Sequence, residues 1–320
     1  MAKPTLWITR KLSDATEQRA ARDYDVILNP EDRVYSGDEI VAMSGRIDAI
    51  LPCHSEIFSR DVAARLSDRV KIIANHSVGV DHCDLAALKA RGIVVTNTPD
   101  VLSDATAEIA LLLMLGAARR ASEGDRLVRT GQWTSWSPSF MVGRQSTGKK
   151  LGIVGMGRVG LAVRKIVTGL GMEIHYSNRR RLPAETEDGS IYHDTVEDLL
   201  GAVDIVSLNC PSTPETLNLM DARRIGLMKP GAILVNTARG NLIDEAALID
   251  ALKRGHLFAA GLDVFKTEPG GNPDLAKLDN VFLLPHIGSA TRETRNAMGF
   301  RALDNLDAFF AGQTPRDRLV

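Results

Sequence analysis

Short apolar runs alternate with segments of helical period along the whole 320-residue chain. The runs are TLWIT (5–9), DVIL (25–28), DAIL (48–51), VKIIAN (70–75) and IVVTN (93–97). A second series follows: KLGIVG (150–155), EIHYS (173–177), DIVSLNC (204–210), AILVNTA (232–238), AAGLDVF (259–265) and VFLLP (281–285). Amphipathic or apolar stretches lie between them, among them 55–66, 103–120, 158–170, 244–254 and 289–310. Such alternation predicts parallel sheets with helices on both faces, and strands apolar throughout fit sheets covered on both sides. The polar stretch 131–148, GQWTSWSPSFMVGRQSTG, reads as a connection between two halves. The pattern therefore predicts an α/β chain with two doubly wound parallel-sheet domains.

Composition narrows the function classes. The chain is 44% hydrophobic and 25% charged, enough apolar material for two cores. A formal net charge of −1 offers no basic surface for nucleic acid or a membrane. The most apolar stretch, Ile109–Ala118, is half of the roughly 20 residues a membrane span needs. Cys53, Cys83 and Cys210 are isolated and form no CxxC pair, as expected of reduced thiols in a cytoplasmic protein. The N-terminus enters a strand-like run at once, without the apolar core of a signal peptide.

The sharpest motif is KLGIVGMGRVG, Lys150–Gly160: a buried strand, then G-x-G-x-x-G at Gly155, Gly157 and Gly160, then a helix. The first glycine permits the tight turn, the second lets backbone approach a pyrophosphate, and the third allows close helix–strand packing. Arg158 and Val159 open the helix, whose N-terminus favours an anion, and Arg158 can add a guanidinium. An NAD site expects an acid about 20 residues on, at the ribose 2′-OH. Here the chain reads HYSNRRR, His175–Arg181; Glu173 comes too early and Asp188 too late. Ser177 and Asn178 can hydrogen-bond a 2′-phosphate, and Arg179 and Arg180 can pair with it. NADP(H) is the expected coenzyme, with NAD(H) possible.

Three further strand ends carry chemistry. ILVNTARG leaves Arg239, GLDVFKTEP leaves Asp263 and Glu268, and LLPHIGSAT leaves His286. Reduction of a 2-oxo acid needs a cation for the carboxylate, a proton donor for the developing alkoxide, and an acid that keeps the donor protonated. Arg, His and a carboxylate supply these parts.

GMGRVG, NTARG, GLDVFKTEP and LPHIGSAT, in this order and spacing, resemble the D-isomer-specific 2-hydroxyacid dehydrogenase family over nearly the whole chain. The resemblance implies Arg239, Glu268 and His286 as the catalytic set, with Asp263 at the nicotinamide end. It also implies a Rossmann coenzyme domain, about 100–287, inserted into a flavodoxin-like substrate domain of 1–99 plus 288–320, and a homodimer. NHSVGVDHCD (75–84) resembles the loop whose amides, around Val78 and Gly79, bind the substrate carboxylate. Its His76, His82, Cys83 and Asp84 could be read as metal ligands, but the reaction needs none, and no metal is expected. Thr106 resembles a nicotinamide-side threonine, and Thr237 and Ala238 pass close to the nicotinamide ribose. Cys210, Pro211 and Thr216 resemble the loop along the coenzyme, with Cys210 inert. SNRRR resembles members that reduce glyoxylate and hydroxypyruvate with NADPH, so a small 2-oxo acid is the expected substrate. Leu51, Trp133, Trp136 and Met141 are candidate pocket walls, with ordinary packing or a dimer contact as the alternative for each. The competing readings are an NAD-linked D-lactate or 3-phosphoglycerate dehydrogenase, and a nucleotide-sensing corepressor-like binding protein.

Overall fold

The computed structural model describes residues 3–320. It divides into two compact units, one running to Leu102 and resuming over Ser289–Val320, the other spanning Ser103–Gly288. In the first unit, β1 (Thr5–Ile8), β2 (Asp25–Ile27), β3 (Ala49–Leu51), β4 (Ile72–Ala74) and β5 (Val94–Thr96) form a sheet in the order β2-β1-β3-β4-β5. All four neighbour pairs are parallel, and the order is that of a flavodoxin-like sheet.

Successive side chains of a strand point to opposite faces, and here both faces are covered. Leu6, Ile8, Ala49 and Leu51 pack with Ala302, Leu303 and Leu306 of the C-terminal helix Arg292–Phe310. Trp7 and Ile50 face the opposite cluster, with Ile40, Phe58 and Leu88. The chain end is tied back as well: Arg301 pairs with buried Asp317 at 2.5 and 2.8 Å, and Leu319 N–H donates to Val95.

The second unit carries β6 (Lys150–Val154), β7 (Glu173–Ser177), β8 (Ile191–Tyr192), β9 (Ile205–Leu208), β10 (Ala232–Asn236), β11 (Leu257–Leu262) and β12 (Val281–Leu283). Their order, β12-β11-β10-β9-β6-β7-β8, is that of a Rossmann sheet with one extra strand, and every pair is parallel. Along β10, Ala232 and Leu234 enter one core while Ile233 and Val235 enter the other. This is why its sequence is apolar at every position. Helix Ser103–Ala118 lies on the second of these faces through Ala107, Ala110, Leu113, Met114 and Ala117. β8 was not expected: two residues leave no periodic signal. No helix among the described residues is long and apolar enough to cross a membrane.

Leu51 corrects an expectation. It is 0% exposed, because in a three-residue strand it shares the face of Ala49 and lies in the core rather than on a pocket wall. Leu51→Ala should therefore lower the urea-denaturation midpoint, by roughly 2–5 kcal/mol of stability, while the KM for a 2-oxo acid stays within about twofold.

Candidate functional site

Beyond Val154 the chain turns through Gly155–Met156–Gly157 into helix Arg158–Val167. Gly155 has φ +91°, and a Cβ there would stand 2.6 Å from the Cys210 nitrogen. A Cβ on Gly160 would stand 2.6 Å from the Gly155 oxygen, so the helix packs on the strand only because that position lacks a side chain. A Cβ on Gly157 would meet nothing within 4 Å. Helices Val196–Ala202, Ala222–Leu227 and Glu245–Lys253 begin on Thr195, Asp221 and Asp244, whose side chains accept first-turn amides. Helix Arg158–Val167 begins on Gly157 with no side-chain cap. Its positive end is left to an anion, and the open space at Gly157 is where one would approach.

The turn sits where the strand order reverses, with β6 between β9 and β7. A groove of about 970 Å³ starts there. Gly155, Gly157, Ser177, Asn178, Arg179, Arg180, Cys210, Pro211 and Thr216 all line it, joined by Leu182, Asp194, Val196, Glu215 and Leu219, which the sequence did not single out. The donor set and the uncapped helix suit a dinucleotide. Thr106, Thr237, Ala238 and Asp263 lie away from this wall.

The run Ser177–Arg181 divides its labour. Asn178 Oδ1 accepts the Met156 N–H at 2.6 Å and its Nδ2 donates to Met156 O at 3.4 Å, so this amide latches the glycine turn. The sequence pointed to a ligand role for Asn178 and gave no sign of this structural one. Ser177 is buried and its carbonyl accepts from Gly155 N–H. Arg181 grips Glu187 at 2.7 and 3.0 Å, the Tyr176 hydroxyl donates to the same carboxylate, and the guanidinium lies over Tyr192. Arg181 and Tyr176 together hold the Glu187 carboxyl down to about 2. Arg179 and Arg180 are exposed on the groove, and among the described residues neither forms an ion pair or side-chain hydrogen bond.

A second constellation forms at the ends of β10, β11 and β12. Asn236 is fully buried; its Oδ1 accepts Ala238 N–H at 2.9 Å and its Nδ2 donates to Arg239 O at 2.8 Å, shaping the turn that carries Arg239. Arg239 Nη1 donates to Ala238 O, and Thr237 lies 3.5 Å from Asn209 Nδ2. One strand over, Asp263 is 1% exposed. Its carboxylate accepts Ile287 N–H at 2.8 Å and Gly288 N–H at 2.7 Å, and its carbonyl accepts His286 N–H. Burial raises the Asp263 carboxyl above its ordinary range, against the pull of those two amides. His286 is thereby held at φ +55°, a conformation that costs a non-glycine residue about 1–3 kcal/mol. His286 Nδ1 meets Glu268 Oε2 at 2.5 Å, while Glu268 Oε1 accepts Phe265 N–H at 2.7 Å. Thr106 reaches the same corner: a Cβ on Gly288 would lie 3.4 Å from its Cγ2 and 3.1 Å from Asp263 Oδ2.

In the first unit, the loop after β4 exposes backbone. The Thr98 amide donates to Ser77 O, Asn97 Nδ2 to Val78 O, and the Ser77 hydroxyl to Gly79 O. With the carbonyls tied inward, the Val78 and Gly79 amides have no acceptor among the described residues, and Val78 is 36% exposed. Successive free amides of this kind make an anion-accepting concavity. The polar residues around it are otherwise engaged: His82 Nε2 and Cys83 Sγ both meet Asn75 Oδ1, Asp84 caps helix Leu85–Ala90, and His76 Nε2 meets Arg295 O.

Residues 111–288 match the profile of the D-isomer specific 2-hydroxyacid dehydrogenase NAD binding domain. The chain is 42% identical over 314 residues to a glycerate dehydrogenase of Hyphomicrobium methylovorum, covering 98% of each. It is also 42% identical over 318 residues to a glyoxylate reductase of Pyrococcus furiosus, covering 98% of this chain and 94% of the relative. This chain belongs to the D-isomer-specific 2-hydroxyacid dehydrogenase family. Among solved structures it resembles the NADPH-dependent glyoxylate/hydroxypyruvate reductase of Sinorhizobium meliloti in complex with NADP and malonate, at TM-score 0.88 and 31% identity over 100% of this chain and 97% of that one. It is therefore an oxidoreductase that uses a nicotinamide cofactor on small 2-oxo or 2-hydroxy acids.

In this dehydrogenase burial pushes the Cys210 thiol up to about 11, which keeps it from acting as a nucleophile at neutral pH. Trp133 and Trp136 are 55% and 74% exposed, outside the groove, and Met141 reaches back toward Gly124. Asn236 went unforeseen, although a polar residue closing the apolar strand AILVN was its signal. Burial, helped by the Arg295 charge, pushes the His76 imidazole down to about 4 from an ordinary 6.5. The unfolded chain then takes up a proton that the folded chain refuses, so stability is full above pH 6.5 and declines as pH falls toward 4. Urea midpoints measured across that window should fall with acid, and His76→Gln should flatten the decline.

Proposed function

We propose that this dehydrogenase is an NADPH-preferring reductase of small 2-oxo acids, glyoxylate and hydroxypyruvate, yielding the 2-hydroxy acids. The observation that carries the preference is the pair Arg179 and Arg180, exposed on the groove with their charges uncommitted, where no acid closes β7. A 2′-phosphate can take charge-assisted bonds from both, and Ser177 and Asn178 stand beside them. Relatives named glyoxylate reductase and glycerate dehydrogenase, and the likeness to a reductase crystallised with NADP and malonate, support the same substrate class.

When bound, the nicotinamide coenzyme would supply the hydride for the substrate C2. Gly155, Gly157 and Gly160, with Arg158 and Val159, hold its diphosphate; Cys210, Pro211 and Thr216 form the wall alongside. Thr106, Thr237, Ala238 and Asp263 serve the nicotinamide end. Arg239 orients the 2-oxo acid by its carboxylate and polarises its carbonyl. In the first unit, the Val78 and Gly79 amides can donate to a carboxylate. His286 hands its proton to the carbonyl oxygen as C2 is reduced. The Glu268 carboxylate, 2.5 Å from Nδ1, fixes the orientation of the ring. NAD(H) would serve at lower efficiency. The segment 128–142 leaves Val128, Trp133, Trp136, Phe140 and Val142 exposed, which supports the reading of a homodimer of this chain in the cytoplasm.

Initial rates with glyoxylate and hydroxypyruvate, using NADPH and NADH in parallel, test the reading. Replacing Arg179 and Arg180 by Ala should raise the NADPH KM about tenfold or more and leave that for NADH nearly unchanged; equal effects would sink the preference. His286→Ala should cost about 10²–10⁴ in kcat with coenzyme Kd unchanged. Glu268→Gln, which weakens the hold on the imidazole, should lower kcat and leave coenzyme Kd unchanged. Retained turnover in His286→Ala would overturn its role.

A further inference from the structure

Glu215 lies on the wall of the same groove as Arg179, within one unit. The loop that presents it is closed on itself: the Thr216 hydroxyl accepts Thr213 N–H at 2.7 Å and lies 2.9 Å from Pro211 O, to which it can donate. The Thr213 hydroxyl, the local backbone amide and the Arg179 charge all favour the ionised Glu215 carboxylate. All three hold it below the usual carboxylate range, so it is ionised at neutral pH. Arg179 forms no ion pair with it. The acid and the cation therefore stand in each other's field without neutralising each other.

We propose that Glu215 is a specificity-determining residue, a negative charge lining the same groove as Arg179 that counts against a coenzyme 2′-phosphate and not against a 2′-hydroxyl. The inference rests on the reading of Arg179 as a 2′-phosphate ligand. A phosphate monoester carries about −1.5 to −2 charges at neutral pH. It is drawn to Arg179 and repelled by Glu215, whereas a ribose hydroxyl is neutral and can donate to a carboxylate. Glu215 thus limits how far the arginines favour NADPH and leaves room for NADH. Both groups are exposed, so the effect is that of a screened surface charge.

The test uses the full chain and two probes, adenosine 2′,5′-bisphosphate and adenosine 5′-monophosphate, with binding measured by competition against NADPH. Glu215→Gln keeps the size of the side chain and removes its charge. It should tighten the bisphosphate about two- to fivefold at low ionic strength and leave the monophosphate unchanged. The gain should shrink in about 0.5 M salt, and it should be smaller when Arg179→Ala is already present. Equal tightening of both probes, or no change in either, would overturn the proposal. If Arg179→Ala alone leaves bisphosphate binding intact, the reading of the arginines falls and the proposal with it. If that variant weakens the bisphosphate while Glu215→Gln changes nothing, only the role of Glu215 falls.

Discussion

In both sheets every neighbouring pair of strands is parallel, and that one constraint organises the rest of the molecule. A parallel pair cannot be closed by a tight turn, so each strand must be returned by a crossover that covers a face of the sheet. All strands of a sheet then end at one edge. In the second unit that edge receives the glycine turn after β6, the Cys210 loop after β9, Arg239 after β10, Asp263 after β11 and His286 after β12. Residues tens of positions apart, such as Gly155 and Cys210, become neighbours because the topology leaves them nowhere else to be.

What holds these strand ends in place is a set of buried or half-buried polar side chains, each spent on backbone. Asn178 latches the glycine turn, Asn236 shapes the turn before Arg239, and Asp263 secures the amides after His286. In the first unit Asn75 does similar work, donating to Thr96 O and meeting His82. Such groups are costly if left unpaired, and satisfied they hold one geometry. The left-handed backbone at His286 fits this picture: a conformation that the local sequence disfavours is retained because three bonds from Asp263 over-determine it.

Several residues mean something different in three dimensions than they do in a line. The three arginines after Asn178 look equivalent in sequence. Tyr176 lies five residues before Arg181 and Glu187 six residues after it, and together they claim Arg181 and leave Arg179 and Arg180 to the groove. His76, His82, Cys83 and Asp84 look like a ligand cluster by composition, yet each is engaged within the protein, His82 and Cys83 both on Asn75. Leu51 stands at a strand tip where pocket residues are expected, but the alternation of β3 turns it into the core. Asp194, which does line the groove, sits in a segment with no recognisable pattern of its own, and Glu215 sits unremarked within the Cys210–Thr216 loop.

The sequence by itself determined the alternation of strand and helix, the glycine turn between β6 and its helix, and the absence of an acid at the end of β7. These are local properties, set by side-chain period, by the need for glycine at φ +91° and by residue identity over a few positions. It also carried the chemistry of Arg239, Glu268 and His286, because each follows a strand and residue type limits what a group can do. Only the tertiary structure decided which polar groups are spent on the protein and which are left for a ligand. The reason is that hydrogen-bond partners are chosen by proximity across the fold. Asn178 meets Met156 from 22 residues away and Asp263 meets Gly288 from 25. No window of sequence holds both halves of either bond.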